Sequence, residues 1–141
     1  MAVIEFHTLG KIDLAGVEED AVEAVLRGPK RLGLLAYLAL ARPGEHVRRD
    51  TLLALLWPEH DATRARHALR NTLYSLRRAL GREVLRGRGK QDLAVSRKQL
   101  WCDAVAFREA LAEGRREDAL LLYRGELLPG MYVDGAGVAF E

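Results

Sequence analysis

The segment from Asp61 to Gly81 (DATRARHALRNTLYSLRRALG) constrains the fold more than any other part of the chain. When it is drawn as a helix at 100° per residue, one side is an apolar stripe: Ala65, Leu69, Leu73, Leu76 and Leu80. The opposite face is polar and basic and holds Arg64, His67, Asn71, Tyr74, Ser75 and Arg78. One flank between these faces holds Arg66, Arg70 and Arg77. We expect the stripe to be buried and the exposed half, with five arginines and no acid, to meet an anionic partner.

The basic charge of the chain is concentrated in and just after this segment. Residues 61–90 contain nine Lys or Arg and two acidic residues, a net charge of +7, so the other 111 residues carry −5 of the overall +2. A basic segment within a mildly acidic protein is typical of a nucleic-acid-binding surface. The alternative is a solvated helix face, but acidic residues would then normally be interspersed.

The remaining composition predicts a soluble, cytoplasmic protein without a metal or another cofactor. The chain has 141 residues, 49% of them apolar, which is enough for a packed core. Its single Cys102 excludes an internal disulfide and fits a reducing compartment. The longest apolar run, residues 32–41, is shorter than the roughly 20 residues that cross a bilayer. His60 and His67 show no paired metal-ligand spacing.

The elements before the basic segment are predicted to be two strands and two helices. Val3–His7 and Lys11–Leu14 suggest a short antiparallel pair, and Val22–Leu26 fits a strand or a helix turn equally well. A helix is expected from Pro29 to about Arg42, where Pro43-Gly44 stops it. A second is expected from about Arg49 to Trp57, where Pro58 ends it.

A basic hairpin is predicted after the long helix, with strands Glu83–Arg86 and Asp92–Ser96 on either side of GRGKQ. Strands, helices and a hairpin in this order are typical of a winged helix. Val105–Glu113 and Arg116–Arg124 then form a TPR-like helix pair, which packs on the winged helix or begins a longer helical array. The predicted fold class is therefore α+β, mainly helical. The tail, residues 125–141, is expected to be mostly irregular.

Three runs of the sequence resemble one family of bacterial regulators: LLWPE, LRNTLYSLRRALG and LYRGELLPG, in that order. From about Phe6 to Met131 the chain is similar to transcriptional activators of the Streptomyces antibiotic regulatory protein (SARP) type. The resemblance implies an OmpR/PhoB-type winged helix, residues 1–102, followed by the start of a helical bacterial transcriptional activator domain, residues 103–141.

The chain departs from this family pattern in two places. Arg48 stands where the family often has a Ser or Thr helix cap, which weakens that cap by about 1 kcal/mol. We expect these residues to hold only the first helix pair of the helical array. GRGK at residues 87–90 is not expected to replace the ATPase module of larger relatives, because it lacks the spacing of a phosphate-binding loop.

DNA recognition can be assigned to three groups of residues. A helix fits the major groove, where base edges carry distinct donor and acceptor patterns, so the outward face (Arg64, His67, Asn71, Tyr74, Ser75 and Arg78) is predicted to face bases. Arg66, Arg70 and Arg77 on the flank are better placed for phosphates. The hairpin residues Arg86, Arg88 and Lys90 could reach the adjacent backbone or minor groove. Trp57 and Trp101 are interpreted as core anchors.

The predicted function is sequence-specific DNA binding by a transcriptional regulator of the activator type. The resemblance suggests that the target is promoter DNA with direct repeats and that the protein can bind it as a dimer. The loop Pro58–Asp61 matches a turn that can touch RNA polymerase. The rival hypothesis is a protein-interaction module in which the helix pair after Asp103 docks polymerase or another regulator without DNA binding. No nucleophile, base and orienting group form a recognisable arrangement, so no enzyme is predicted.

Overall fold

The computed structural model describes residues 3–42, 45–89 and 91–130. These ranges contain six helices and six short strands, so the predicted mixed, mainly helical fold class is confirmed. The strands are β1 (Ile4–His7), β2 (Asp13–Ala15), β3 (Val47–Arg48), β4 (Leu85–Arg88), β5 (Asp92–Val95) and β6 (Leu100–Cys102). The helices are α1 (Glu19–Leu26), α2 (Pro29–Leu40), α3 (Arg49–Leu56), α4 (Ala62–Leu80), α5 (Asp103–Ala112) and α6 (Arg116–Leu122).

The first sheet has the strand order β2-β1-β6. The antiparallel pairing of β1 with β2 confirms the predicted N-terminal pair. The parallel partner on the other side of β1 is β6, a strand that the sequence pattern did not reveal. Phe6 lies in the centre of this sheet and is completely buried.

Residues 22–26 belong to α1, so the helix-turn alternative is correct and the strand alternative is wrong. Glu19 and Asp20 lie in the first turn of this helix, where negative charge complements the helix dipole, and Val25 is buried. The next helix, α2, begins at Pro29 as predicted but ends at Leu40. The predicted stop at Pro43-Gly44 lies outside the described residues.

The C-terminal end of α2 is held by two arginines that are distant in the sequence. Arg97 donates hydrogen bonds to the carbonyl oxygens of Ala39, at 2.7 Å, and Ala41, at 2.5 Å. Arg108 of α5 donates to the carbonyl oxygen of Leu40 at 3.0 Å. These carbonyls have no partner within the helix, so the two guanidinium groups satisfy them and place positive charge at the negative end of the dipole.

The predicted long helix is confirmed as α4, which begins and ends where the sequence indicated. The carboxylate of Asp61 accepts a hydrogen bond from the amide of Arg64 at 2.8 Å, and Gly81 ends the helix with a φ of 105°. The buried residues of α4 are the five of the predicted stripe: Ala65, Leu69, Leu73, Leu76 and Leu80. They join one hydrophobic core with residues of α2, α3 and both sheets.

The second sheet, β3-β5-β4, contains the predicted hairpin and a two-residue strand just before α3. The first hairpin strand lies two residues later than predicted, at Leu85–Arg88. Glu83 and Val84 precede this strand. Val84 is buried, and its carbonyl oxygen accepts a hydrogen bond from the amide of Ser96 at 2.7 Å. The register runs to Arg88 opposite Asp92, so Gly89 and Gln91 lie at the tip.

The helices α5 and α6 form the predicted pair, joined at Gly114, which has a φ of 76°. They end earlier than expected, at Ala112 and Leu122, and the rings of Phe107 and Tyr123 meet with centroids 5.7 Å apart. Helix α5 packs on β1, β6 and α2. Within the described residues no helix is both long and apolar enough to span a bilayer. Residues 131–141 of the predicted irregular tail lie outside the described part.

Trp57 is buried in the core, as predicted, with Lys30 above its ring at 5.7 Å from the centroid. Trp101 is only partly buried, and its ring packs edge-on against His7 with a centroid distance of 5.5 Å. Both tryptophans therefore pack within the fold, although Trp101 does so at its edge.

Candidate nucleic-acid interface

The outward face of α4 is exposed over most of its length. Among the residues predicted to face bases, Arg64, His67, Asn71, Tyr74 and Arg78 are exposed, and Tyr74 is 65% exposed despite its large apolar ring. Ser75 is less exposed than these residues, because it is half-buried. Across the described residues, no ion pair involves the side chain of any α4 arginine. The face therefore carries its positive charge without an internal counter-ion.

The two flanks of α4 face different neighbours. One flank of α4 packs against α1. On this flank Ser75, Arg78 and Ala79 line a groove together with Glu18 and Asp20. Ser75 and Arg78 thus lie at the border between the outward face and an acidic helix terminus. Arg31 also lines this groove, so two acidic and two basic side chains share it.

The arginine flank faces α3 and the hairpin. Arg66 and Arg70 are exposed and line a pocket with the first turn of α3, whereas Arg77 is half-buried. The Nη2 of Arg77 donates a long hydrogen bond of 3.4 Å to the carbonyl oxygen of Leu85. Of the three residues predicted to contact phosphates, Arg77 is therefore the one that also contacts the hairpin backbone.

The hairpin residues differ in their settings. Arg86 is exposed and pairs with Glu83, with Nη2 and Oε2 3.2 Å apart, so part of its charge is already compensated. Arg88 lies on β4 opposite Asp92 in the register, but its side chain lies outside what the structure describes. Lys90 also lies outside the described residues.

Two arginines that the sequence reasoning missed border this surface. Arg82 follows the end of α4 and lines an outer groove with Tyr74, Arg77 and Arg78. Arg49 begins α3 and lines the pocket of Arg66 and Arg70. The Arg48-Arg49 pair was a visible signal, but at the sequence level Arg48 was interpreted only as a poor helix cap. The structure agrees that Arg48 makes no side-chain capping hydrogen bond.

The pocket beside Arg49 is strongly basic. It measures about 410 Å³ and is lined by Arg48, Arg49, Asp50, Leu53, Arg66, Leu69, Arg70, Gly89 and Gln91. Burial and the nearby charges of Arg77 and Arg70 lower the pKa of Arg49 from its ordinary value. The Nε of Arg49 is buried and has no hydrogen-bond partner among the described residues.

Other reactive side chains do not form a second site in the described residues. No group of three or more His, Cys, Asp or Glu could hold a metal ion in that part of the chain. Cys102 is buried, and this burial raises the pKa of its thiol, which favours the neutral and unreactive form.

An apolar patch lies on the α5–α6 pair. It includes Leu111, Leu120, Leu121 and Tyr123, which are 51%, 73%, 77% and 52% exposed. The rings and aliphatic side chains of Phe107, Leu111, Leu120 and Tyr123 line a shallow cavity of about 420 Å³. This patch is the surface that the rival interaction-module hypothesis requires.

Comparison with solved structures gives a structural relative of this chain. No protein-family model matches the chain, and no curated protein matches it. The fold is similar to that of Mycobacterium tuberculosis EmbR, solved in complex with a low-affinity phosphopeptide, with a TM-score of 0.63 and 25% sequence identity. The match covers 93% of this chain and 38% of the EmbR chain. EmbR is a regulator of the SARP family, and the likeness supports a SARP-like fold for this chain.

Proposed function

We propose that the chain is a sequence-specific DNA-binding transcriptional regulator, acting as an activator, whose helix α4 enters the major groove. The observation that carries this proposal is the outward face of α4, which is basic and exposed and whose arginines form no ion pair within the described part of the chain. Its opposite side is anchored in the core by five buried residues, so the basic face is presented rigidly. A rigid helix of this width fits the major groove.

The proposed assignment of α4 residues to base contacts and phosphate contacts follows from the geometry of the helix. Arg64, His67, Asn71, Tyr74, Ser75 and Arg78 face base edges, with Ser75 contributing least because it is half-buried beside α1. An arginine can donate two hydrogen bonds to guanine, and an asparagine can pair with adenine through a donor and an acceptor. Arg66, Arg70 and Arg77 contact phosphates and fix the register of the protein on the duplex.

The hairpin β4–β5 acts as the wing in this proposal. It follows α4 directly and is held beside α3 by the pairing of β3 with β5. Arg86, Arg88 and Lys90 would contact the adjacent backbone or minor groove. Arg86 contributes less than a free arginine because its charge is shared with Glu83.

Binding partners beyond DNA follow from the family resemblance. The protein would act in the cytoplasm on promoter direct repeats, as a dimer or in tandem, with the exposed loop 58–61 available to RNA polymerase. The winged helix would span residues 1–102, and residues 103–141 would begin a TPR-like array. The phosphopeptide in the relative belongs to EmbR, of which this chain spans 38% of the length.

A binding selection followed by fluorescence anisotropy tests this function. Duplexes are selected from a random library by the wild-type protein, and affinities for a selected and an unselected duplex are then measured across a salt series. If six to nine charges neutralise phosphates, log affinity falls against log salt with a slope of roughly −5 to −8. Asn71→Ala should reduce discrimination between the duplexes by about 1–3 kcal/mol, whereas Arg66→Ala should weaken binding to both duplexes alike.

Arg115→Ala is the matched control for the loss of one arginine charge, because Arg115 is exposed at the α5–α6 turn and already pairs with Glu113 and Asp118. It should bind both duplexes like the wild type. Absence of DNA binding at low salt would overturn the proposal and leave the interaction module. The exposed apolar patch on α5–α6 favours that second function, with polymerase or another regulator as the partner.

A further inference from the structure

Four arginines from two separate parts of the chain converge on the pocket beside the hairpin tip. Arg48 and Arg49 come from the junction of β3 and α3, and Arg66 and Arg70 come from one flank of α4. Asp50 also lines the pocket, but its Oδ2 lies 3.9 Å from the Nη2 of Arg48 and both side chains are exposed. Among the described residues that line the pocket, one acid therefore faces four arginines.

The fold fixes this convergence through backbone pairing. Arg48 of β3 lies opposite Asp92 of β5, and the amide of Arg49 donates a 2.7 Å hydrogen bond to the carbonyl of Gln91. The start of α3 is thereby attached to the hairpin. Arg66 and Arg70 are four residues apart on α4 and so project from the same flank. The four side chains are held near one another by the fold and not by mutual attraction.

The arrangement is unfavourable for the protein alone. Burial disfavours the charged form of Arg49 and lowers its pKa, and repulsion by the charges of Arg77 and Arg70 adds to this effect. Its Nε is a buried donor without an acceptor among the described residues, which is a costly condition for a polar group. The guanidinium of Arg49 lies close to the hairpin backbone at Gly87, since a Cβ atom added to Gly87 would be 3.6 Å from Nη2 of Arg49.

We propose that this pocket binds one phosphate group, with Arg49 as the central ligand and Arg48, Arg66 and Arg70 around it. The planar fork of a guanidinium matches phosphate oxygens with paired hydrogen bonds, and the anion would relieve the repulsion among the positive charges. The pocket lies between the α4 flank and the hairpin tip, the two elements that the proposed function places on DNA. A backbone phosphodiester that bridges them is therefore the source we infer, and in this respect the inference rests on the proposed function.

The test uses inorganic phosphate and a selected duplex as separate probes on the full chain. The Nε–Hε signals of the arginines are followed by NMR while phosphate is added, and DNA affinity is measured across a salt series. We expect phosphate to shift the Arg49 Nε–Hε signal in a saturable way. Arg49→Gln should abolish saturable phosphate binding, weaken duplex binding roughly tenfold and reduce the salt slope by about 1.

Two further variants separate this role from folding and from net charge. Arg49→Lys keeps the charge but lacks the fork, so it should keep most of the salt slope while binding inorganic phosphate more weakly. Arg115→Gln removes one charge from a paired, exposed arginine and should leave both phosphate and duplex binding unchanged. Circular dichroism melting curves identify any variant that fails to fold.

The outcomes keep this inference distinct from the proposed function. Displacement of phosphate by the duplex supports a DNA phosphate as the occupant, and phosphate binding that the duplex does not affect supports the site with a free phosphate as its ligand. Phosphate binding in a protein that binds no DNA supports the site while overturning the proposed function. The site alone is overturned if phosphate causes no saturable shift in the wild-type protein and Arg49→Gln binds the duplex normally with an unchanged salt slope.

Discussion

Asp103 is the buried carboxylate that connects the beginning of the chain to α5. It is 3% exposed and accepts hydrogen bonds from the Thr8 amide at 2.8 Å, the Thr8 hydroxyl at 2.7 Å and the Leu9 amide at 3.0 Å. A fourth, at 2.8 Å, comes from the amide of Ala104 in the first turn of α5. These donors compensate the desolvation of a buried charge, which is otherwise expensive.

Asp103→Ala should lower the free energy of unfolding by about 3 kcal/mol, because it leaves buried donors of Thr8 and Leu9 without an acceptor. Urea denaturation measures the change. Asp118→Ala is the control, since it removes an exposed carboxylate whose ion pair with Arg115 contributes little, and it should change stability by less than about 0.5 kcal/mol. Equal effects in the two variants would show that the hydrogen bonds of Asp103 do not stabilise the fold.

At the scale of elements, α3 begins without a favourable cap. Its N-cap residue is Arg48, whose side chain makes no capping hydrogen bond. A cationic side chain at this end also opposes the helix dipole. If the adjacent pocket binds a phosphate, Arg48 contributes to function at the expense of helix stability.

Arg48→Ser should therefore change stability and DNA affinity in opposite directions. A serine hydroxyl can accept a hydrogen bond from the first turn, so the free energy of unfolding should rise by about 1 kcal/mol. Duplex affinity should fall, with a shallower salt slope, because one phosphate contact is lost. Arg48→Ala is the matched control, since it removes the charge without supplying a cap. A stability gain as large in Arg48→Ala would attribute the effect to charge and not to capping.

How far each element could be predicted depends on whether its signal is local. The long helix α4 was predicted to within a residue because Asp61, Gly81 and a repeating leucine pattern all lie inside it. The strand β6 was not predicted, because its three residues are too few to show a periodic pattern and their partner β1 lies about a hundred positions earlier in the chain. The helix α1 was ambiguous because the short run AVEAVL fits both the helical period of 3.6 residues and the strand period of two residues.

The candidate interface shows the same limit. Periodicity separated the buried stripe of α4 from its exposed arginines, and burial confirms that separation. It could not show that Arg49 joins Arg66 and Arg70, because this depends on the pairing of β3 with β5. Nor could it show that Ser75 and Arg78 border the acidic start of α1. Both facts arise from packing between elements that are separated in the sequence.

On the scale of the whole molecule, the predicted domain boundary at 102/103 can be tested directly. We expect residues 1–102 alone to be less stable than the full chain by about 3 kcal/mol or more, because Asp103 and the buried Val105 would be absent. A chain ending at Gly130 is the control, since it retains the hydrogen bond from the Leu128 amide to the Thr8 carbonyl. Chemical denaturation compares the three proteins. Equal stability of residues 1–102 would support an independent winged-helix domain.

The parallel pairing of β1 with β6 also has a consequence for the order in which the protein can be made and folded. Ile4, Glu5 and Phe6 lie opposite Leu100, Trp101 and Cys102, so one edge of the first strand has no partner until residues 100–102 have left the ribosome. The helices from α1 to α4 are nearer in sequence and can pack earlier, since local contacts close with less loss of chain entropy. Phe6 is synthesised well before its partner strand β6, so it would be buried late, which makes β1 a segment that a nascent chain needs to protect.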